Sequence, residues 1–258
     1  MVSLIIQLMQ RNALLFWFGL LYFLGGMIST ILINYSSTQV NNINAWIKPM
    51  KFFFSAAIFS FTMAWLLYEL PSMNYNNYSI MVVVVLTFEL LVITWQAANG
   101  RLSHFNTSKP LYAHLFTLMG VAIVVLTIWT LLVGIHFFTK DTNHIQKGYL
   151  WGIRLGIIIF VIAAFEGGLM GARLSHTVGG TDASEGLPIL NWSKHYGDLR
   201  IAHFFGMHAL QILPIAGYYL FKQTQSIIVF SIVYALIVCF FFIQALKGIS
   251  ILKTTSLS

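Results

Sequence analysis

Charged residues are scarce in this chain. Only 8% of its 258 residues are Asp, Glu, Lys or Arg, while 58% are hydrophobic. A soluble domain carries about 25% charged residues. So few charges cannot solvate a globular surface, but they suit a protein whose outer surface faces lipid. The composition therefore predicts an integral membrane protein.

Cysteine and the common catalytic motifs are also missing or nearly so. The single cysteine, Cys239, lies inside an apolar run, which excludes a disulfide framework and a paired-cysteine metal motif. The chain contains no Walker loop, no glycine-rich dinucleotide motif, no nucleophile elbow and no His-Glu-x-x-His zinc motif. The enzyme classes that depend on these motifs are therefore not indicated.

Acidic residues are few: the chain has 7 Asp and Glu against 14 Lys and Arg, which gives a net charge of +7. The cations are scattered singly between apolar runs and form no stripe, so we expect no nucleic-acid partner. Loop cations beside the ends of membrane spans are the ordinary explanation. Membrane lipids are therefore the expected partner.

Seven apolar runs are long enough to cross about 30 Å of hydrocarbon. They cover residues 13–34, 51–70, 79–98, 111–136, 149–172, 201–221 and 226–246. The sequence thus predicts an all-α integral membrane protein, a single seven-helix bundle over residues 1–258. Its one long connection, residues 173–200, contains Trp192 and Tyr196, which favour an ordered loop that packs back on the bundle.

An odd number of spans gathers most polar motifs at one membrane face, called here the motif face. A four-residue word, Arg-Leu-Ser-His, ends the third span at 101–104 and the fifth at 173–176. Each copy is preceded within its span by a Phe-Glu pair, which contributes Glu89 and Glu166. Two copies at the same face are a hint of a duplicated site.

The sixth predicted span carries the densest polar pattern. Asp198 is placed to cap this helix by accepting hydrogen bonds from its free N–H groups. Arg200 and Gln211 lie close together around the helix, and His203 and His208 flank them about 140° apart. Polar residues inside a membrane are rare and by default indicate function. Taken singly, each histidine could equally be an interfacial anchor.

These histidines suggest a metal site. Three imidazoles and a water molecule are the pattern of a catalytic zinc with an open position. The candidate ligands are His104, His203 and His208, with His176 as a further one. The spacing of five between His203 and His208 turns their rings apart, so both bind one ion only if the helix start is frayed or each serves a different site.

A haem b site is the alternative use of the same residues. One histidine within a helix can ligate haem iron, and Gly206 beside His208 leaves room for a porphyrin. Arg200, Arg101 and Lys51 could then hold the propionates. The spacing of these residues does not decide between a zinc site and a haem site.

Buried acids supply the candidate proton-transfer groups. A lone ionised Glu in lipid costs several kcal/mol, so Glu89 is expected to face inward, and Gln96 lies about 20° from it on the same helix. Glu89, Glu166 and Asp198 are candidate general bases, proton relays or groups that orient a His; for the two Glu, a buried interhelical hydrogen bond is the plain alternative. The expected substrate- or cofactor-binding residues are Lys51, Gln96, Arg101, Ser103, Arg200 and Gln211.

Three segments resemble a family of bacterial multi-pass membrane proteins to which no activity is assigned. They are Trp46-Ile47-Lys48-Pro49-Met50-Lys51-Phe52, Gly100-Arg101-Leu102-Ser103-His104-Phe105-Asn106, and the stretch from Gly197-Asp198-Leu199-Arg200 through His203, Gly206-Met207-His208 and Gln211 to Leu213-Pro214. The resemblance implies a protein of the bacterial inner membrane. The chain is more loosely similar to the seven-helix ceramidase and adiponectin-receptor-like zinc hydrolases. Their paired His are four residues apart, not five, so none of their site residues is transferred.

The leading hypothesis is a membrane-embedded, metal-dependent enzyme, a hydrolase or an oxidoreductase, that acts on a lipid-like or amphipathic substrate. A b-type haem redox protein is the first alternative. A transporter or channel with a pathway along Glu89, Glu166 and Arg200 is the second. We expect His104, Arg200, His203 and His208 to converge on one polar cavity at the motif face. The metal and haem hypotheses depend on this convergence, whereas the transporter hypothesis does not.

Overall fold

Helices make up nearly all the regular structure. The computed structural model describes residues 2–71 and 73–252. Within this part of the chain there are eight helices: α1 Val2–Arg11, α2 Ala13–Tyr35, α3 Ile47–Leu67, α4 Asn76–Ala98, α5 Pro110–Thr139, α6 Lys147–Arg173, α7 Leu199–Tyr219 and α8 Thr224–Leu246. Strands β1 Gln39–Val40 and β2 Ile43–Asn44 form one antiparallel pair, and β3 Thr177–Val178 and β4 Gly197–Asp198 form another. An odd number of spans would place Lys253 at the motif face, but this residue lies outside the described residues.

Each predicted apolar run is a helix, with ends that differ from the prediction by a few residues. Among the described helices, α2, α3, α4, α5, α6 and α8 are long and apolar enough to cross a membrane. The chain is therefore a multi-pass membrane protein by length and composition. The seventh predicted span, α7, is not among these candidates. It has 21 residues, but Arg200, His203, His208 and Gln211 make it less apolar than the others.

The chain divides into two compact units, Met1–Thr142 and Asn143–Ser258. In the first unit, glycines of α2 leave room for phenylalanine rings of α3. Gly19 faces Phe61, Gly25 faces Phe53 and Gly26 faces Phe54. A side chain at any of the three would displace a ring, so the small residues set how closely α2 approaches α3.

Arg11 fastens the short α1 to the end of α3. Its Nη1 atom lies 2.7 Å from Glu69 Oε1, and its guanidinium stands 3.8 Å from the centre of the Trp65 ring. The next residue, Asn12, caps α2, because its side-chain oxygen accepts from the Leu15 N–H at 3.0 Å. The chain therefore turns between α1 and α2 with its polar groups satisfied.

The second unit depends on close contact between α6 and α7. Gly148, Gly152 and Gly156 follow one another at intervals of four on one face of α6. A Cβ on Gly152 would collide with the carbonyl oxygen of Leu213, and a Cβ on Gly156 would stand 2.8 Å from that of Ala209. Backbone therefore meets backbone along this glycine row, as in membrane helices that pack through small residues.

The long connection 173–200 packs on α7. The Trp192 ring lies 5.7 Å from the Phe204 ring and 6.3 Å from the Phe205 ring, measured between centroids. The Tyr196 ring covers Gly180, where a Cβ would not fit. Strands β3 and β4 join the two ends of this connection, so it is a folded part of the second unit.

Gly152→Ala should destabilise the protein, because the added methyl group meets the Leu213 carbonyl in a helix contact that has no space for it. We expect a loss of about 1–3 kcal/mol, as for other overpacked cores, seen as a lower melting temperature in detergent. The matched control is Gly168→Ala on the same helix, where a Cβ meets nothing within 4 Å. Equal melting temperatures for the two variants would contradict a close backbone contact between α6 and α7 at Gly152.

Candidate functional site

Glu89 and Gln96 lie inside the first unit. Glu89 is 4% exposed and Gln96 1% exposed, which confirms that both side chains of α4 face inward. Among the described residues, neither Glu89 Oε1 nor Gln96 Oε1 has a hydrogen-bond partner. A buried acceptor without a donor costs about 1–3 kcal/mol. Such a group in a native protein calls for an explanation, such as a water, an ion or a catalytic role.

Apolar side chains flank these two residues along α4. A buried cluster contains Val92, Ile93 and Met119, with Phe52, Phe88 and Leu115 packed against it. Phe88, Val92 and Ile93 are neighbours of Glu89 and Gln96 along the helix. Apolar side chains can donate nothing to a carboxyl or an amide oxygen, so this cluster cannot relieve the unmet hydrogen bonds.

His104 lies beyond the end of α4, in the connection 99–109. Its Nδ1 is 3.1 Å from the hydroxyl of Ser103, which is itself buried. The imidazole packs on Phe52 at a centroid distance of 5.5 Å. Burial, and then the positive charge of Lys48, lowers the pKa of His104 well below its usual value. His104 is therefore neutral at pH 7.

Lys48 was not among the predicted site residues, but its positive charge acts on His104. Its Nζ lies 5.6 Å from the centre of the Phe52 ring, on which His104 also packs. Lys51 lies one turn further along α3. Arg101 is held at Tyr112, whose hydroxyl is 2.5 Å from its Nη1.

In the second unit, Asp198 and Arg200 form a closed pair. Asp198 is 1% exposed; its Oδ2 accepts from the Ser193 N–H at 2.8 Å, and its Oδ1 from the Arg200 N–H at 3.1 Å. The Arg200 side chain donates to both oxygens, at 2.9 and 2.5 Å, and also to the carbonyl of Asn191. Asp198 caps α7 as predicted. Because both of its carboxylate oxygens already accept hydrogen bonds, it is poorly placed to act as a base.

His203 faces α6. Its Nδ1 is 2.7 Å from the carbonyl oxygen of Ala163, and its ring lies against Gly167, where a Cβ would be 3.1 Å from Cε1. Because a carbonyl can only accept, Nδ1 carries the proton. Glu166, one residue before Gly167, keeps a buried oxygen, Oε1, that has no hydrogen-bond partner among the described residues.

His208 and Gln211 bond each other. The His208 Nδ1 is 3.3 Å from Gln211 Oε1, and the ring stands edge-on to Phe204 at 4.4 Å. His203 therefore meets the backbone of α6, whereas His208 meets residues of its own helix. The two rings, five residues apart, share no partner.

His176 belongs to a small cluster of polar residues in the long connection. Asp182 Oδ1 lies 3.2 Å from His176 Nδ1, and it accepts from the Ser175 hydroxyl at 2.7 Å and the Thr177 N–H at 3.0 Å. Burial works to raise the pKa of Asp182, but His176 and these donors outweigh it, and the pKa is lowered. Sequence reasoning missed Asp182, although an Asp six residues after a His in a glycine-rich loop was a visible signal.

The structure shows no metal-binding group among the predicted ligands in the described part of the chain. Among residues 2–71 and 73–252, no group of three or more His, Cys, Asp or Glu side chains could hold a metal ion. Each of His104, His176, His203 and His208 instead has partners of its own. His104 belongs to the first unit, and His203 and His208 to the second, so their meeting in one cavity stays a prediction.

Comparison with known proteins adds no assignment. No protein-family model, no curated protein and no solved structure matches the chain.

The neutral state of His104 predicts a pH dependence of stability. The unfolded chain binds a proton at this residue near pH 6.5, whereas the folded chain does so only at lower pH. The contribution of neutral His104 to the free energy of unfolding is therefore fully present above about pH 6.5. It falls by about 1 kcal/mol as the pH drops to 5.5. Melting temperatures in detergent at pH 7.5 and 5.5 should differ less for His104→Gln than for the wild type. An identical pH shift in both proteins would show that His104 does not stay neutral.

Proposed function

We propose that this protein moves protons across a membrane, alone or coupled to a solute, with the carboxyl groups of Glu89 and Glu166 as its proton-exchange sites. One observation carries the proposal. Both glutamates lie in apolar helices that can span a membrane, and each keeps a buried carboxyl oxygen without a hydrogen-bond partner in the described chain.

A structural role accounts poorly for such oxygens. A glutamate that only joins two helices would direct its oxygens at a donor, as Glu69 does with Arg11 at 2.7 Å. An ionised carboxylate in hydrocarbon costs several kcal/mol, so a carboxyl with one buried oxygen left unpartnered is more stable as the neutral acid. A neutral acid that water can reach intermittently binds and releases a proton. Proton relays in pumps and transporters are built from residues of this kind.

The two units repeat this feature separately. In each, a Phe-Glu pair in a candidate span precedes an Arg-Leu-Ser-His word, and the histidine of that word bonds a hydroxyl. His104 Nδ1 is 3.1 Å from Ser103 Oγ, and His176 Nδ1 is 3.2 Å from Thr177 Oγ1. Membrane transporters often contain structural repeats, so the recurrence supports transport.

The same contacts give less support to a metal-dependent enzyme or a haem protein. A zinc enzyme needs about three protein ligands around one ion, and the described residues offer no such group. His203 has a suitable tautomer for ligation through Nε2, because its Nδ1 is bonded to a carbonyl. His208 is committed to Gln211, however, and does not complete a pair with it. We therefore derive no step through either group.

For the topology, we propose that α7 also crosses the bilayer and that the protein resides in the bacterial inner membrane. Its 21 residues reach about 30 Å, and its glycine contact with α6 keeps much of its polar backbone away from lipid. Reporter fusions after Gln223 and after Gln146 test this topology. With α7 spanning, the two sites lie on the same side; reporters on opposite sides would contradict a seventh span.

Proton flux in proteoliposomes tests the function. Purified protein is reconstituted with a trapped pH-sensitive dye, and a potential is imposed with potassium and valinomycin. Glu89→Gln and Glu166→Gln should each reduce the flux at least about tenfold, because an amide keeps the shape but cannot release a proton. The matched control is Glu185→Gln, which removes an exposed acid paired with Lys194 and should leave the flux unchanged.

Chemical labelling supplies a second readout that needs no substrate. A hydrophobic carbodiimide reacts with protonated carboxyl groups in apolar surroundings. Mass spectrometry should find the adduct on Glu89 and Glu166 but not on the ion-paired Glu69. If the wild type shows no flux above empty vesicles under any added gradient, or if both Gln variants conduct normally, the proposal is wrong.

A further inference from the structure

The face of α4 that carries Glu89 carries a second unsatisfied acceptor, the amide oxygen of Gln96. Seven residues separate the two, so they lie within about 20° around the helix and about 10.5 Å apart along it. Both side chains are buried, and both have an Oε1 atom without a partner in the described chain. The acceptors therefore form a file along one helix face and not a single cluster.

The apolar side chains packed along this part of α4 offer the file no hydrogen-bond donor. The apolar cluster of Val92, Ile93 and Met119 packs beside it. Hydroxyls elsewhere in the spans, such as those of Thr127 and Thr130, satisfy themselves by donating to the carbonyl four residues earlier. An amide oxygen can only accept, and an ionised carboxylate likewise, so neither can satisfy itself in this way. Water is a donor that would fit both Oε1 atoms.

Polar groups continue beyond Gln96 into the connection 99–109. The backbone carbonyl of Gln96 accepts from the Arg101 N–H at 2.9 Å, which places the connection 99–109 directly after it. In that connection lie the buried Ser103 and its partner His104. Lys48 lies near this connection, because its Nζ is 5.6 Å from the centre of the Phe52 ring on which His104 packs.

We infer that a file of water molecules runs from the connection 99–109 past Gln96 to Glu89 and is the route by which protons reach that carboxyl. The inference rests on the proposed function. Along the route each water accepts a proton on one side and gives one up on the other. At the end an O–H bond forms on the Glu89 carboxylate as one breaks on the adjacent water. Gln96 orders the file through its amide and neither gains nor loses a proton.

Gln96→Leu tests this route in the flux assay. It keeps the side-chain volume but removes the amide, and it should slow proton flux by about tenfold or more, the effect of losing one hydrogen-bonding partner in a transfer path. The matched control is Thr94→Val. Thr94 also has a buried, unpartnered hydroxyl on α4, but it lies about 140° from Glu89 around the helix, so its variant should conduct normally.

Radiolytic labelling of the wild type tests the water directly and does not depend on any variant folding. An X-ray pulse creates hydroxyl radicals from bound water, and these oxidise adjacent methionines. Met119, 2% exposed and part of the cluster beside the file, should be oxidised faster than Met63, which is 0% exposed. Met119 oxidised no faster than Met63 would overturn the water file.

The outcomes separate the two proposals. Normal flux in Gln96→Leu together with lost flux in Glu89→Gln overturns the route through Gln96 and leaves the proton-exchange role of Glu89 standing. Normal flux in Glu89→Gln overturns the proposed function itself. Slow flux in Gln96→Leu with normal flux in Thr94→Val, and faster oxidation of Met119, support the route.

Discussion

A polar group buried in a membrane protein must find its partner within the protein, because the surrounding hydrocarbon offers none. The fold of this chain follows from that constraint. Most backbone groups are satisfied within long helices, and the hydroxyls inside those helices donate to carbonyls of their own turn, as Ser29, Thr127 and Ser231 do. Within the described residues a few buried polar atoms escape this rule, and among them the carboxyl oxygens of Glu89 and Glu166 carry the proposed function.

The same constraint explains how the helices pack. Hydrophobic burial does little to drive helices together in lipid, so association depends on close approach and van der Waals contact. Gly148, Gly152 and Gly156 let α6 touch the backbone of α7, and Gly19, Gly25 and Gly26 accept rings from α3. In each unit the close packing of the helices thus depends on glycines. It does not depend on the large polar side chains.

Some charged residues are fully ion-paired, whereas others keep an oxygen without a hydrogen-bond partner. Arg11 with Glu69, and Arg200 with Asp198, are closed pairs that hold helix ends in place. Breaking a buried pair of this kind leaves one charge uncompensated, so these residues are structural. Glu89 and Glu166 each have one carboxyl oxygen, Oε1, that lacks a hydrogen-bond partner among the described residues. The difference between the two sets is the reason for assigning proton exchange to the glutamates of the spans and not to Asp198.

Much of the fold could be predicted from residue order, because a run of about twenty apolar residues has few choices other than a helix. The inward direction of Glu89 and Gln96 and the cap at Asp198 followed from the same local reasoning. Tertiary structure alone decided which polar atoms found partners. The meeting of Arg200 with Asn191, of His203 with Ala163 and of Asp182 with His176 depends on how the long connection and the glycine row bring distant segments together. Helical periodicity describes one helix at a time, so it cannot show that the histidines face separate partners or that two glutamate oxygens face none.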